Sequence, residues 1–270
     1  ITAPEGFRWL DAPDPLVMQR AVNLLAALGA TEADGSLTDV GRRMTAFPLP
    51  PRLARLMAAG QDEQCVVELA AIAALMQGEG VAMKGGLNDN LRDSADYTDF
   101  QAEWRAVEKA VDAGFEAGAC TRWGISARGA REVWMAYRQL LSIGSRGKSR
   151  EMPEPDFTAA RPAVVRAMME SFADHVGVRN GVAANTCRMA GGVGGRLAEG
   201  SVAFHGEHFV AAEVAELSGK AVETRVGRCT LIDPEELRAV WPERFSGGEA
   251  AVFDAALRRV RLHRRLMYED

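Results

Sequence analysis

Asp34-Gly35-Ser36-Leu37-Thr38-Asp39-Val40-Gly41-Arg42-Arg43-Met44, followed by Phe47-Pro48-Leu49-Pro50-Pro51-Arg52-Leu53-Ala54, is the stretch that decides the fold. Asp34-Gly35 is a tight-turn dipeptide that joins two short extended pieces. Thr38 is an N-cap residue for a helix over 39–47. Pro48 and Pro50 interrupt that helix, and Pro51 sits where a proline starts the next one. Upstream, Pro15 opens another helix, with Leu16, Ala21, Leu24, Leu25 and Leu28 at helical spacing and Gly29 at its C′ position. Helix, small hairpin, helix, helix predicts a winged-helix-like domain over 7–60.

The next segment, 61–145, reads as a helical bundle. Val66 to Met76 is almost wholly apolar, the pattern of a buried helix. A glycine-rich loop spans 78–87. Phe100, Trp104 and Val107 share one face of a helix over 97–111, and Val133, Trp134, Tyr137, Leu140 and Leu141 do the same over 125–141. Trp104 and Trp134 are therefore core residues on apolar faces; Trp123 and Trp241 could also stack on bases. Residues 144–157 are polar with Pro153 and Pro155, and read as a linker or exposed loop. A linker and one further helix (163–172) fill 146–182.

Beyond it the pattern changes to short strands separated by glycine turns: Thr186–Met189, Val202–Phe204, His208–Leu217 and Val222–Leu231. Pro234 then opens a short helix to Val240. A small OB-like β-barrel over 183–245 accounts for this order. The tail, 246–270, reads as an amphipathic helix carrying Arg258, Arg259, Arg261, Arg264 and Arg265. That cluster is either a solvated face or a phosphate contact. The expected fold class is α+β and multi-domain: winged helix, helical bundle, OB-like barrel, C-terminal helix.

Composition narrows the function classes. The chain has 270 residues, a formal net charge of −5, and 47% hydrophobic and 26% charged residues, normal for a chain that buries real cores. Acidity lowers the expectation of a freestanding nucleic-acid binder, although a local basic groove can exist on an acidic chain. No apolar run reaches the ~20 residues that span a bilayer, so no membrane role is expected. The first residues lack a basic n-region, an apolar stretch and an initiator Met, which suggests a fragment. Cys65, Cys120, Cys187 and Cys229 are far apart with no CxxC pair, the pattern of reduced thiols in a cytoplasmic protein and of no zinc site. His205 and His208 flank Gly206-Glu207 with no third ligand, and read as a surface turn.

Catalytic motifs are missing. There is no GxxxxGK[ST], no DEAH or DEAD tetrapeptide, no HExxH and no GxSxG. Gly191-Gly192-Val193-Gly194-Gly195-Arg196 imitates a dinucleotide fingerprint, but another strand follows it where that fingerprint needs a helix; it reads as a hairpin turn. No catalytic residue, cofactor site or metal site is assigned.

The ordered run from Leu37-Thr38-Asp39-Val40-Gly41-Arg42 to Phe47-Pro48-Leu49-Pro50-Pro51-Arg52-Leu53-Ala54 resembles the winged-helix signature that follows the second RecA-like domain in DEAH-box RNA helicases. Ser94-Ala95-Asp96-Tyr97 before Trp104, then Cys120 and Arg138-Gln139-Leu140, are similar to the helical ratchet region of that family. Gly195 to Val202 and Phe209 to Lys220 resemble strands and loops of its C-terminal OB-fold. Arg52-Leu53-Ala54-Arg55 and Gly194-Gly195-Arg196-Leu197 are closest to the bacterial HrpB-like branch. The resemblance reaches to about Phe245.

The resemblance implies an accessory region that forms one wall of a single-stranded RNA channel. Paired RecA-like domains of the same parent chain would bind ATP and Mg2+ and drive the strand. It points to Lys220, Arg196, Ser201, Ser218 and Arg225 on the barrel as RNA-binding residues, and to Arg131 and Arg138 on the ratchet; these last two could equally form salt bridges within the bundle. Arg42 is expected to hold the winged helix to its neighbours. Two other readings stand beside it: a module that docks a protein activator, and a stand-alone winged-helix regulator of duplex DNA. Against the latter, the second helix has little that is basic beyond Arg42-Arg43.

Overall fold

The computed structural model describes residues 7–145, 153–181, 183–218, 222–254 and 259–268. The chain divides into two compact units, 1–172 and 173–270.

The first unit begins with the winged helix. Helix α1 (Pro15–Ala27) is capped by Asp14, whose carboxylate accepts from the Leu16 amide at 2.8 Å, and the chain then leaves through Gly29 at φ +66°. Gly35 turns a small hairpin at φ +81°, Thr31 pairs with Leu37, and the Asp34 carboxylate accepts from the Ser36 amide at 2.9 Å. Thr38 caps α2 (Asp39–Met44), accepting from the Gly41 amide at 2.9 Å. Gly41 has no room for a side chain, because a Cβ there would lie 2.0 Å from the Ala30 carbonyl oxygen. Pro51 then starts α3 (Pro51–Glu63).

Helix α4 (Val66–Leu75) is the centre of this unit. Leu69 through Leu75 are each 0% exposed. Helices α3, α5 (Asp99–Asp112) and α7 (Ala127–Gly144) pack around it. Four of those seven residues are alanine, so neighbouring backbones approach closely; at Gly144 a Cβ would sit 2.6 Å from Val66 Cγ1. Trp104, Trp134 and Tyr137 stack between α5 and α7, with Trp104 and Tyr137 centroids 4.7 Å apart. Asp96, almost fully buried, is bound by the Arg105 guanidinium and accepts from the Asp93 amide at 3.0 Å. This fastens the loop before α5. A short helix, α6 (Ala117–Thr121), precedes α7.

Part of the expected exposed loop is held tightly instead. Tyr137 donates to the Pro153 carbonyl at 2.6 Å, Tyr97 donates to the Phe157 carbonyl at 2.8 Å, and Glu68 accepts from the Asp156 amide at 3.0 Å. Helix α8 (Arg161–Ser171) packs on α3, where Arg55 pairs with Glu170 at 2.7 Å and Arg52 donates to the Ser171 carbonyl at 3.1 Å. The helix assigned to 146–182 thus belongs with the helical unit.

The second unit opens with a closed five-stranded barrel: β1 (Val176–Arg179), β2 (Thr186–Met189), β3 (Gly194–Leu197), β4 (His208–Ser218) and β5 (Val222–Leu231). Their spatial order is β1-β2-β3-β5-β4, closed by β1 against β4. All pairs are antiparallel except β3 with β5. This is an OB-like barrel. Its interior holds Cys187, Met189, Leu197, Phe209, Ala211, Val226 and Cys229. Two glycines make room for the large members: a Cβ at Gly177 would meet Phe209 Cζ at 2.7 Å, and one at Gly195 would meet Val226 Cγ2 at 2.6 Å. The glycine run after β2 is a tight connection to β3, with Gly191 and Gly192 both at positive φ, as a hairpin turn requires.

Three expectations are corrected. The barrel begins at Val176 rather than 183, because β1 is a member of it. Val202–Phe204 is a 3-10 turn, not a strand: the Ser201 hydroxyl accepts from the Ala203 amide at 3.3 Å, and Val202 and Ala203 enter the barrel core. The tail is not a helix. After α9 (Pro234–Val240), β6 (Phe245–Asp254) and β7 (Arg259–Tyr268) form an antiparallel two-stranded ribbon. Gly247-Gly248 disfavours helix by ~1 kcal/mol per residue, and Arg259, Arg261 and His263 alternate with Val260 and Leu262 in a period of two, which Arg264 interrupts. Arginines at several spacings satisfy both periods when read alone.

Candidate nucleic-acid interface

The register of the barrel brings two of the expected residues together. Arg196 on β3 and Arg225 on β5 are direct partners in the parallel ladder, so they lie on the same face, and both are exposed. Alternation puts their neighbours Leu197 and Val226 inside, 5% and 0% exposed. The two arginines help line a surface recess of about 360 Å3, together with Asn185, Phe204, Glu199 and Glu223.

Like charges opposite one another in a ladder repel. Here the repulsion is only partly relieved: Arg196 Nε lies 3.2 Å from Glu223 Oε1, with the two side chains 58% and 54% exposed. A pair so open to water contributes at most ~1 kcal/mol and is easily exchanged for another anion. Arg188 on β2 adds a third exposed cation to this face. Its register partner is Gly194, two residues before Arg196, and Thr186 is the partner of Arg196 itself. Sequence reading did not single out Arg188; the signal was the alternation of exposed and buried positions across Thr186–Met189.

The remaining candidates fall elsewhere. Ser201 is 4% exposed, and its hydroxyl caps the turn into the barrel core. Ser218 ends β4, opposite Val222 in register. Lys220 lies outside the described residues. Arg131 and Arg138 belong to the helical unit, both exposed and two turns apart on one side of α7, with Met135 between them at 60% exposure. The Arg131 guanidinium sits over the Phe115 ring at 5.1 Å. Arg42 pairs with Asp39 on its own helix and donates to the Leu37 carbonyl at 2.6 Å. The contact from α2 to α3 is made by Arg43, which pairs with Asp62.

All four cysteines are buried, and burial beside Glu68 pushes the Cys65 thiol up to about 12. Burial likewise raises the Tyr97 and Tyr137 hydroxyls. Among the described residues no group of three or more His, Cys, Asp or Glu is placed to hold a metal, and no helix is long and apolar enough to cross a membrane. The glycine run 191–195 enters a strand, so it does not offer the helix N-terminus that a nucleoside triphosphate needs.

Residues 21–49 match the winged-helix model of the helicase associated domain (HA2). Over 76 residues the chain is 38% identical to the ATP-dependent RNA helicase homolog DQX1 of Mus musculus, a match covering 28% of this chain and 11% of that protein. Two structures share the fold along 99% of the chain: the E. coli DExH-box NTPase HrpB, with TM-score 0.62 and 22% identity, and the E. coli DEAH/RHA helicase HrpB, with TM-score 0.59 and 20% identity. The chain spans about a quarter of their length, 27% and 28%.

Proposed function

We propose that the chain is the C-terminal accessory region of a DEAH-box helicase, a reading supported by its HA2 winged-helix match and its likeness in fold to HrpB, and that it forms one wall of a single-stranded RNA channel, along which RecA-like domains of the whole protein, with ATP and Mg2+, drive the strand. The observation that carries this reading is the pairing of Arg196 with Arg225 on an exposed barrel face, next to Arg188. Two like charges held in register, with only a solvent-exposed carboxylate between them and water, are stabilised by a polyanion. In barrels of this topology the face of strands 2 and 3 and the loops β1–β2 and β4–β5 bind oligonucleotides. Arg188 and Arg196 stand on that face. The exposed ridge Arg131, Met135, Arg138 on α7 supplies a second line of contact from the helical unit. Phosphate contacts of this kind position a strand without reading its sequence.

The test is binding of a labelled single-stranded RNA to the chain across a salt series. Each lost phosphate contact lowers the slope of log affinity against log salt by ~0.7 on a single strand. Arg196→Ala with Arg225→Ala is expected to lower it by about 1.4. An unchanged slope and affinity would remove the barrel face from the channel.

A further inference from the structure

The two sides of α7 differ sharply. Its inner side is closed: Val133, Tyr137 and Leu140 are at most 2% exposed. Its outer side carries Arg131, Met135 and Arg138, all exposed, with Met135 60% open to solvent. Residues three and four apart on a helix are surface neighbours, so the Met135 thioether lies beside both arginine side chains. Arg131 is held over the Phe115 ring at 5.1 Å, and the carboxylate of Glu132 is engaged by Arg128 at 2.8 Å.

Met135 is also the most open methionine among the residues whose exposure is described. Met83 follows at 43%, whereas Met57, Met168 and Met169 are at most 1% exposed. The thiols are poor competitors for an oxidant. The thiolate is the reactive form of cysteine, and burial raises the Cys65, Cys120 and Cys187 thiols above their ordinary value. Cys229 is 0% exposed.

We infer that Met135 is a reversible oxidation site, and that hydrogen peroxide acting there loosens the hold of the α7 ridge on an RNA strand. The second half of this inference rests on the ridge being a line of contact, as proposed above. In the oxidation a lone pair of the Met135 sulfur attacks one peroxide oxygen. The O–O bond breaks and an S–O bond forms. The proton on the attacked oxygen passes to the departing hydroxide, giving methionine sulfoxide and water. The sulfur loses two electrons and the peroxide gains them. The new oxygen is a hydrogen-bond acceptor set among guanidinium donors, and bonds from charged donors are the strong ones. It draws a guanidinium away from the strand's phosphates and makes an apolar contact polar. Met135 has no place in the core, so the change leaves the fold intact.

The test treats the full chain with hydrogen peroxide, locates the added oxygen by peptide mass spectrometry, and measures affinity for a labelled single-stranded RNA across a salt series. Met135 should be oxidised before Met83 and well before Met57. The salt slope should fall by about 0.7, one phosphate contact, with the thermal transition unmoved. A methionine sulfoxide reductase should restore the slope. Met135→Leu keeps an apolar side chain that peroxide cannot oxidise, so its slope should be the same before and after treatment, whatever its starting value. Met83→Leu should stay sensitive. Oxidation of Met135 no faster than Met57, an oxidised protein that binds as before, or a Met135→Leu protein that responds as the parent does would each overturn the inference. Arg131→Ala with Arg138→Ala, measured alongside, separates the two readings. If it lowers the slope while oxidation does not, the switch alone fails; if neither lowers it, the ridge falls as a contact too.

Discussion

The helical unit and the barrel solve the problem of burial in opposite ways. Around α4 the core is deep: an uninterrupted run of seven residues, Leu69 to Leu75, is shut off from solvent on every side. In the barrel three of the strands are only four residues long, and β2 alternates strictly between outside and inside. Its core is one layer of side chains, with Gly177 and Gly195 left bare to admit Phe209 and Val226. From Leu69 to Leu75 that core holds no polar residue, so this stretch offers nothing to a ligand. A thin-walled barrel must expose every second residue, and those positions are free to carry charge. The charged residues proposed to grip RNA are accordingly on strand exteriors and on the outer side of α7, never on α4.

This contrast can be broken most directly at its deepest point. Ile72→Ala removes a branched side chain from a fully enclosed site and should cost roughly 3 to 4 kcal/mol, read as a fall in the calorimetric transition of the helical unit with little change in RNA salt slope. If the slope falls as far as it does for the barrel variant, the two regions are not separable in function. Gly195→Val should cost about 2 to 3 kcal/mol by overpacking against Val226. Unlike the α4 change, it should also weaken RNA binding, because it displaces the strand that carries Arg196. Thr38→Ala takes away the N-cap of α2 and should lower stability by about 1 kcal/mol, with the barrel's transition unmoved.

The smallest effect concerns pH. The Arg43 guanidinium holds the Asp62 carboxyl below its ordinary range. A carboxyl depressed in the folded state contributes stability that is present above the unfolded pKa and is lost as pH falls through the folded one. Asp62→Asn should therefore be almost as stable as the parent at acid pH and less stable above the ordinary carboxylate range. The difference should be under about 1 kcal/mol, because the pair is largely open to water. A constant difference across pH would show that Asp62 acts through packing instead.

Local signals were legible in the sequence. The Thr38 cap, the Asp34-Gly35 turn, Gly29 and the two helix-starting prolines each depend on a few adjacent residues, and all stand where their chemistry puts them. The family likeness followed from the same stretch, as did the order of winged helix, helices and barrel. What was illegible depended on distant partners. Strand β1 has only Val176, Gly177, Val178 and Arg179 to declare itself, and it is a strand because β2 and β4 flank it. Val202–Phe204 has strand-like residues but is drawn into a turn by the Ser201 cap. The tail's arginines fit a helix or a ribbon until the β6 register is known. Arg196 and Arg225 could be named singly, but their juxtaposition comes from a pairing between strands 29 residues apart, and Arg188 joins them only through the β2–β3 register.

That parallel pairing of β3 with β5 has an outcome for the newly made chain. It is the last seam of the barrel wall that a growing polypeptide can sew, since β5 emerges after all four of its fellows. Until then Arg196 lacks Arg225 beside it, so the face proposed to hold RNA is complete only once β5 has joined the barrel.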